Sequence, residues 1–364
     1  MRPRDLVITG FAAVSAGGVL RNLDATPDAP PLQVISRWPT PGPRRAFVVA
    51  PVQPADIVPG LRTRRMDRLS AWAMLASALA VQDAGIDPAS ADGDRHAVVF
   101  GTALGCLDLA AEFFGTFRSV PWTADPILFP ETLGNQPGSH VAKHFGFRGP
   151  NLTVAAGNVS GEAALCQAAG FLRTGQADCA VVLAGDTLIQ SLFEWYEASG
   201  RLHPSCLGLG EADPVPAAAA ESLVPGEGMA ACILETAESA ARRGARVRAS
   251  YLDGWFGPGT SAMGGAEPAA AMPDAVARLL EAVPPGTAVT AAVAGGAGWF
   301  EGAPGRRLGR LNPIDFGVFG GMGLLNLGAA ITRAPSAGSV VLAGTVEPEG
   351  QAGALLVRTG DTAR

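Results

Sequence analysis

Apolar and polar positions along the chain alternate between two signatures. Short unbroken apolar runs bounded by turn residues read as buried strands at Leu6–Gly10, Ala97–Gly101, Asn151–Ala156, Cys179–Gly185 and Met229–Glu235. Longer segments between them, residues 66–85, 107–117, 136–145 and 160–174, read as helices. A helix at Ala237–Ala245, closed by Gly244, marks a boundary. After it the pattern recurs in fainter form. Val247–Leu252, Val289–Ala294, Ser339–Gly344 and Ala354–Arg358 read as strands, Pro273–Ala282 and Gly323–Thr332 as helices. Strands alternating with helices predict an α/β fold in two similar βα halves, residues 1–236 and 237–364. Residues 24–60 are Pro-rich and aperiodic, and are expected to form surface loops.

Composition narrows this picture. Hydrophobic residues make up 48% of 364 residues, enough for a sizeable core. The 47 Gly and 29 Pro are dispersed, which points to turns and close packing and not to a disordered tract. A net charge of −6 argues against general nucleic-acid binding. No apolar run is long enough to span a bilayer, and the first residues lead into a strand and not into a signal sequence. The five cysteines are odd in number and scattered without a C-x-x-C pair, as expected of buried reduced thiols in the cytoplasm.

The most informative stretch is NLTVAAGNVSGEAAL, Asn151–Leu165. A strand runs through a Gly-containing turn into a small-residue helix, which places the turn residue at a helix N-terminus, where an anion is stabilised. A Cys there would be an activated nucleophile. The residue in that place is Asn158, a carboxamide.

This segment resembles the nucleophile region of β-ketoacyl synthases, condensing enzymes of the thiolase superfamily, which carry T-V-D-T-A-C-S-S there. Thr153 and Val154 match, Asn158 falls on the Cys, and Ser160 on a following Ser. Further pieces occur in the family's order. Arg64-Arg65-Met66-Asp67 resembles R-x-M-D, residues 80–85 the A-x-x-D-A-G helix end, and Val98–Gly105 the G-T-G-x-G turn. Asn135 and Gly146–Pro150 resemble the Asn and G-x-x-G-P run before the nucleophile, and Pro225–Gly228 the G-E-G strand. The resemblance implies a thiolase fold, two mixed sheets sandwiching central helices. It also places Gly295 and Gly317 where the family has its two catalytic His, and Phe319 where a Glu would follow. The Phe-bearing loop near the C-terminus has no counterpart at residues 347–350.

Loss of all three catalytic groups resembles the chain-length factor of type II polyketide synthases, an inactive paralogue that pairs with an active ketosynthase. The resemblance implies no catalysis by this chain alone, no cofactor and no metal. It implies a heterodimer with a ketosynthase, contact with acyl carrier protein, and pairing across the two-fold by the strand before Asn158. The expected wall of the acyl tunnel is Leu104–Phe117. Leu104, Leu107, Ala111 and Phe114 share one helical face, and Leu107, Ala110 and Phe114 match the gating positions. Leu107 and Ala110, smaller than the aromatic and β-branched residues often found at these positions in aromatic-polyketide versions, imply a long or straight tunnel suited to a reduced or polyene chain. The same stripe also reads as ordinary core. Arg64 and Arg65, in a basic run with Arg62 and Arg68, are candidate carrier-protein contacts, or simply a solvated face. Alternative functions are a decarboxylating priming factor for malonyl carrier protein, which the missing His pair argues against, and a free-standing acyl-binding scaffold.

Other candidate chemistry is weaker. His140 and His144 have a helical zinc-binding spacing but no third ligand in the sequence pattern, and read as structural. Cys166 lies in the helix interior, away from its N-terminus. Asp186 and Glu162 have no partner that the sequence identifies, so no acid–base role follows for them.

Overall fold

The computed structural model describes residues 4–24, 31–38, 42–208, 223–258, 274–281, 283–284, 286–294, 308–310, 320–346 and 351–360. Thirteen strands are described: β1 (Leu6–Ser15), β2 (Gly18–Leu20), β3 (Gln33–Val34), β4 (Arg45–Ala46), β5 (His96–Gly101), β6 (Asn151–Val154), β7 (Cys179–Asp186), β8 (Gly228–Thr236), β9 (Ala249–Pro258), β10 (Val289–Ala294), β11 (Leu308–Arg310), β12 (Val340–Val346) and β13 (Gln351–Thr359). Nine α-helices accompany them: α1 (Pro54–Ile57), α2 (Arg68–Asp83), α3 (Leu107–Ser119), α4 (Gln136–Phe145), α5 (Ser160–Arg173), α6 (Gln190–Ala198), α7 (Ala237–Arg242), α8 (Asp274–Glu281) and α9 (Met322–Thr332).

The five long strands before residue 237 lie in the order β6-β5-β7-β8-β1, and the later ones in the order β11-β10-β12-β13-β9. Numbered within its own half, each set reads 3-2-4-5-1. The first three strands of each set are parallel, and the remaining neighbours are antiparallel. The two sheets are joined by a short antiparallel ladder in which Leu6, Val7 and Ile8 face Tyr251, Ser250 and Ala249. Hydrogen bonding therefore runs unbroken through both halves.

Strand runs such as β7, CAVVLAGD, are buried on both faces because helices cover both. Helices α5 and α9 pack between the sheets in one core with Phe11, Val99, Val182, Leu234, Val341 and Leu355. On the outer face of the first sheet, α2 and α4 bury Trp72, Leu75 and Val141 against Val98, Val181 and Ile233. Helix α8 covers the outer face of the second sheet. The layers run helix, sheet, helix, sheet, helix, which is the thiolase-like arrangement.

Local signals explain several boundaries. Asp67 caps α2, its carboxylate accepting from the Ser70 amide at 3.0 Å. Helix α4 ends at Gly146, which adopts the left-handed conformation that glycine favours. The described residues among 24–60 depart from the expectation of surface loops. Ile35, Ala46, Phe47, Val49 and Val58 are buried, and Arg37 forms a bidentate pair with buried Glu227 at 2.7 and 3.2 Å. Turn-rich composition hid this because the buried residues are isolated and carry no period. Among the described residues, no helix is long and apolar enough to cross a membrane.

Candidate functional site

Strand β6 lies at the rim of the first sheet, paired with β5. Beyond it the chain turns through Ala155–Val159 and enters α5 at Ser160. Gly157 sits at φ +57°, a conformation that side chains resist, and it allows the sharp reversal. Asn158 follows it, half-buried at the mouth of the helix. The Ser160 hydroxyl fastens the turn. Its Oγ accepts from the Ala156 amide at 2.9 Å and lies 2.9 Å from the Thr102 carbonyl and 2.6 Å from that of Gly157.

The N-termini of α5 and α9 approach each other here. A Cβ on Gly161 would stand 3.2 Å from the Gly320 carbonyl and from the Leu324 amide. The fully buried Glu162 lies against Gly323, in the first turn of α9, where a Cβ would meet its carboxylate. A carboxylate in that place faces the positive end of the α9 dipole. Gly295 and Gly317, with Phe319 and residues 347–350, lie outside the described residues.

Asp186 is one of the two acids that the sequence pattern left without a partner, and the structure supplies it with four donors. Its fully buried carboxylate accepts from the Thr102 hydroxyl at 2.5 Å, from the amides of Ala103 (3.0 Å) and Leu104 (2.8 Å), and from the Gly320 amide at 2.7 Å. Burial pushes this carboxyl above its ordinary range, and the four donors oppose that shift. The available sequence signal was an acid closing an otherwise apolar strand, because such a group needs donors when buried.

Beyond this turn α3 begins. None of its residues is buried. Leu107 is 47% exposed and Phe114 52%, Ala111 is exposed, and Leu104 and Ala110 are half-buried. The stripe is therefore not core in the single chain. It continues into Phe117, Val120, Trp122 (86% exposed), Ile127, Phe129 and Leu133. On its other side Leu107 and Ala111, with Asp108 and Glu112, border an open groove of about 340 Å³ whose far wall is Ile189, Gln190, Ser191 and Glu194. That wall belongs to α6, which the sequence pattern did not show.

The basic run sits at the start of α2. Arg62, Arg64 and Arg65 are exposed. Arg65 has φ +73°, the one non-glycine residue in the left-handed region among those described. Such a conformation costs about 1–2 kcal/mol. Arg68 instead turns inward over the Trp72 ring, 3.6 Å from Asp108 and 3.7 Å from Glu227.

The remaining candidates do not converge. His140 Nε2 lies 2.8 Å from Glu131 Oε2, whereas His144 packs edge-on against Phe145. No group of three metal-ligating side chains occurs among the described residues. Burial pushes the thiols of Cys106, Cys166, Cys206 and Cys232 up to about 12, and raises that of Cys179 well above its ordinary value.

Comparison with known proteins places this geometry. The family model for the β-ketoacyl synthase N-terminal domain matches residues 41–240. The ketoacyl synthase alpha subunit of the tetracenomycin polyketide synthase of Streptomyces glaucescens is 30% identical over 229 residues, covering 57% of this chain and 51% of the relative. The chain spans about half the length of the curated relatives it matches. Among solved structures, the ishigamide ketosynthase/chain length factor superposes with a TM-score of 0.78 at 20% identity, over 98% of this chain and 99% of the other. A type II polyketide synthase ketosynthase in complex with its acyl-carrier protein and bound to a hexaketide superposes at 0.72 and 15% identity, covering 98% of this chain and 99% of the other.

Proposed function

The chain belongs to the β-ketoacyl synthase family, and from that premise we propose that it is a non-catalytic chain-length factor, which pairs with an active ketosynthase and walls the acyl tunnel at their interface. The observation that carries this reading is the turn into α5. On the motif match through Thr153 and Val154, Asn158 takes the place of the family's nucleophilic Cys there. A carboxamide there can neither form a thiolate nor hold an acyl thioester. No other thiol compensates, because burial holds all five cysteines in the neutral form. Gly295 and Gly317 in the two His positions complete the loss on this reading.

With chemistry assigned to a partner, this chain contributes surface. Exposed apolar side chains concentrated in one segment point to an interaction face, and residues 107–127 expose Leu107, Phe114, Phe117, Trp122 and Ile127. The wall of the tunnel is Leu104, Leu107, Ala110, Ala111 and Phe114. Leu107 and Ala110, in place of bulkier aromatic gating residues, leave room for a long, reduced or polyene chain. Strand β6 at the sheet rim offers backbone groups for pairing with the ketosynthase. Exposed Arg64 and Arg65 present positive charge suited to an acidic acyl carrier protein.

The test is co-expression with an intact type II ketosynthase, then size exclusion and an elongation assay with acyl carrier protein. The expected result is a stable one-to-one complex, active only with both subunits. Leu107→Trp or Ala110→Trp then shortens the products. Malonyl decarboxylation by this chain alone, with no complex, would overturn the reading in favour of a priming factor.

A further inference from the structure

We propose that Asp186 is a positioning residue that holds the two walls of the α3–α6 groove in register, and so sets the width of the chain-length wall. This rests on the reading of α3 as that wall. Helix α3 buries no side chain. Its main packing neighbours are the short turns at residues 121–123 and 129–132, which bury none either. The Asp108–Arg68 pair is partly exposed, at 3.6 Å, and contributes little. A helix without core contacts takes its direction from the turn that leads into it.

That turn is Thr102–Gly105, and it is gathered around one carboxylate. Ala103 and Leu104 donate directly to Asp186. The Gly105 amide donates to Thr102 Oγ1 at 2.8 Å, and that hydroxyl donates to Asp186. The fourth donor, the Gly320 amide, comes from the turn before α9, so the carboxylate also fixes the lead-in turn against the second half. The opposite wall is tied covalently. Asp186 ends β7, and three residues later Ile189 lines the groove. One side chain thus couples α3 to α6. Hydrogen bonds to a buried ionised group are among the strongest a protein makes, and four donors around one carboxylate leave it little freedom.

Two substitutions test this in the intact chain, by hydrogen exchange, and in the ketosynthase complex, by product analysis. In Asp186→Asn, where an amide N–H₂ would face N–H donors, the Ala103, Leu104 and Gly105 amides should exchange about tenfold faster or more, while those of α5 stay protected. Thr102→Val should speed exchange of the Gly105 amide, whose acceptor it removes, and Thr102→Ser should not. In the complex, Asp186→Asn and Thr102→Val should broaden the product-length distribution at unchanged complex yield, with Thr102→Ser matching the parent. Unchanged exchange in both disruptive variants would overturn the proposal. So would an unchanged distribution in both while Leu107→Trp shifts product length. If Leu107→Trp also changes nothing, the wall assignment fails, and exchange alone decides whether Asp186 holds the turn. Should Asp186→Asn not fold, the Thr102 pair decides.

Discussion

Helices α2 and α3 are both rich in apolar residues, and they meet through Arg68 and Asp108 at their first turns. Their environments are opposite. In α2, twelve residues from Leu69 to Val81 are buried against the first sheet, and Leu75 is fully enclosed. In α3 none is buried. An apolar stripe at helical spacing states only that a face seeks cover. For α2 the cover is this chain's own sheet. For α3 it must come from elsewhere, and the reading proposed above assigns it to a ketosynthase and a growing acyl chain.

The contrast can be broken most directly by truncating matched leucines. Leu75→Ala should cost about 2–5 kcal/mol, the transfer term plus an unfilled cavity. Leu107→Ala should stay within about 0.5 kcal/mol. Urea unfolding of both variants checks this, and a similar loss in each would show that α3 is core after all. Next in size is an effect on assembly. Phe114→Asp should leave the melting temperature unchanged while weakening ketosynthase association about tenfold, or ~1.4 kcal/mol. Titration calorimetry reads the difference, and undiminished affinity would place the interface off this face.

The smallest expected effect lies far from α3, in an ion pair whose stability role is internal. The Arg95 guanidinium, hydrogen-bonded to Asp178 at 2.8 and 3.0 Å, holds that carboxyl below its ordinary range, with Arg4 assisting. A depressed carboxyl stabilises the fold above its unfolded pKa and loses that contribution as pH falls through the folded value. Asp178→Asn should therefore flatten the acid limb of the stability profile below pH ~4, by less than about 1 kcal/mol for so exposed a pair. A variant that keeps the parent's acid limb would assign that limb to other carboxylates.

How much of this was legible depended on what each residue needs. Strands β5, β7 and β10 were readable because burial on both faces leaves an unbroken apolar run. Helix α6 was not, since Phe193 is its one buried residue and one residue makes no period. The hold of Arg37 on Glu227 links positions 190 residues apart, and no local pattern reports such a pair. Asp186 failed for a different reason. Three of its four donors are backbone amides, which every residue but proline carries, so side-chain identity cannot announce them. The turn into α5 was conspicuous in sequence because its Gly and small residues are forced by geometry. Which surface α3 faces could not be read, because spacing is the same for core and interface.

Strand β1 has a consequence for how the protein is made. It sits between β8 and β9, near the middle of the continuous sheet, yet it precedes every other described element along the chain. Its first long-range partner begins at Gly228, more than two hundred residues later. At ordinary synthesis rates of about 5–20 residues per second, a ten-residue strand that ends fully buried waits on the order of 10–40 seconds without its ladder. During that interval it is a template for wrong pairing, and nascent chains halted before Gly228 should be cleaved by protease within Leu6–Ser15, while those carried past Ala249–Tyr251 should resist. The segment that stitches the two halves together is thus also one that must wait for the chain's later strands.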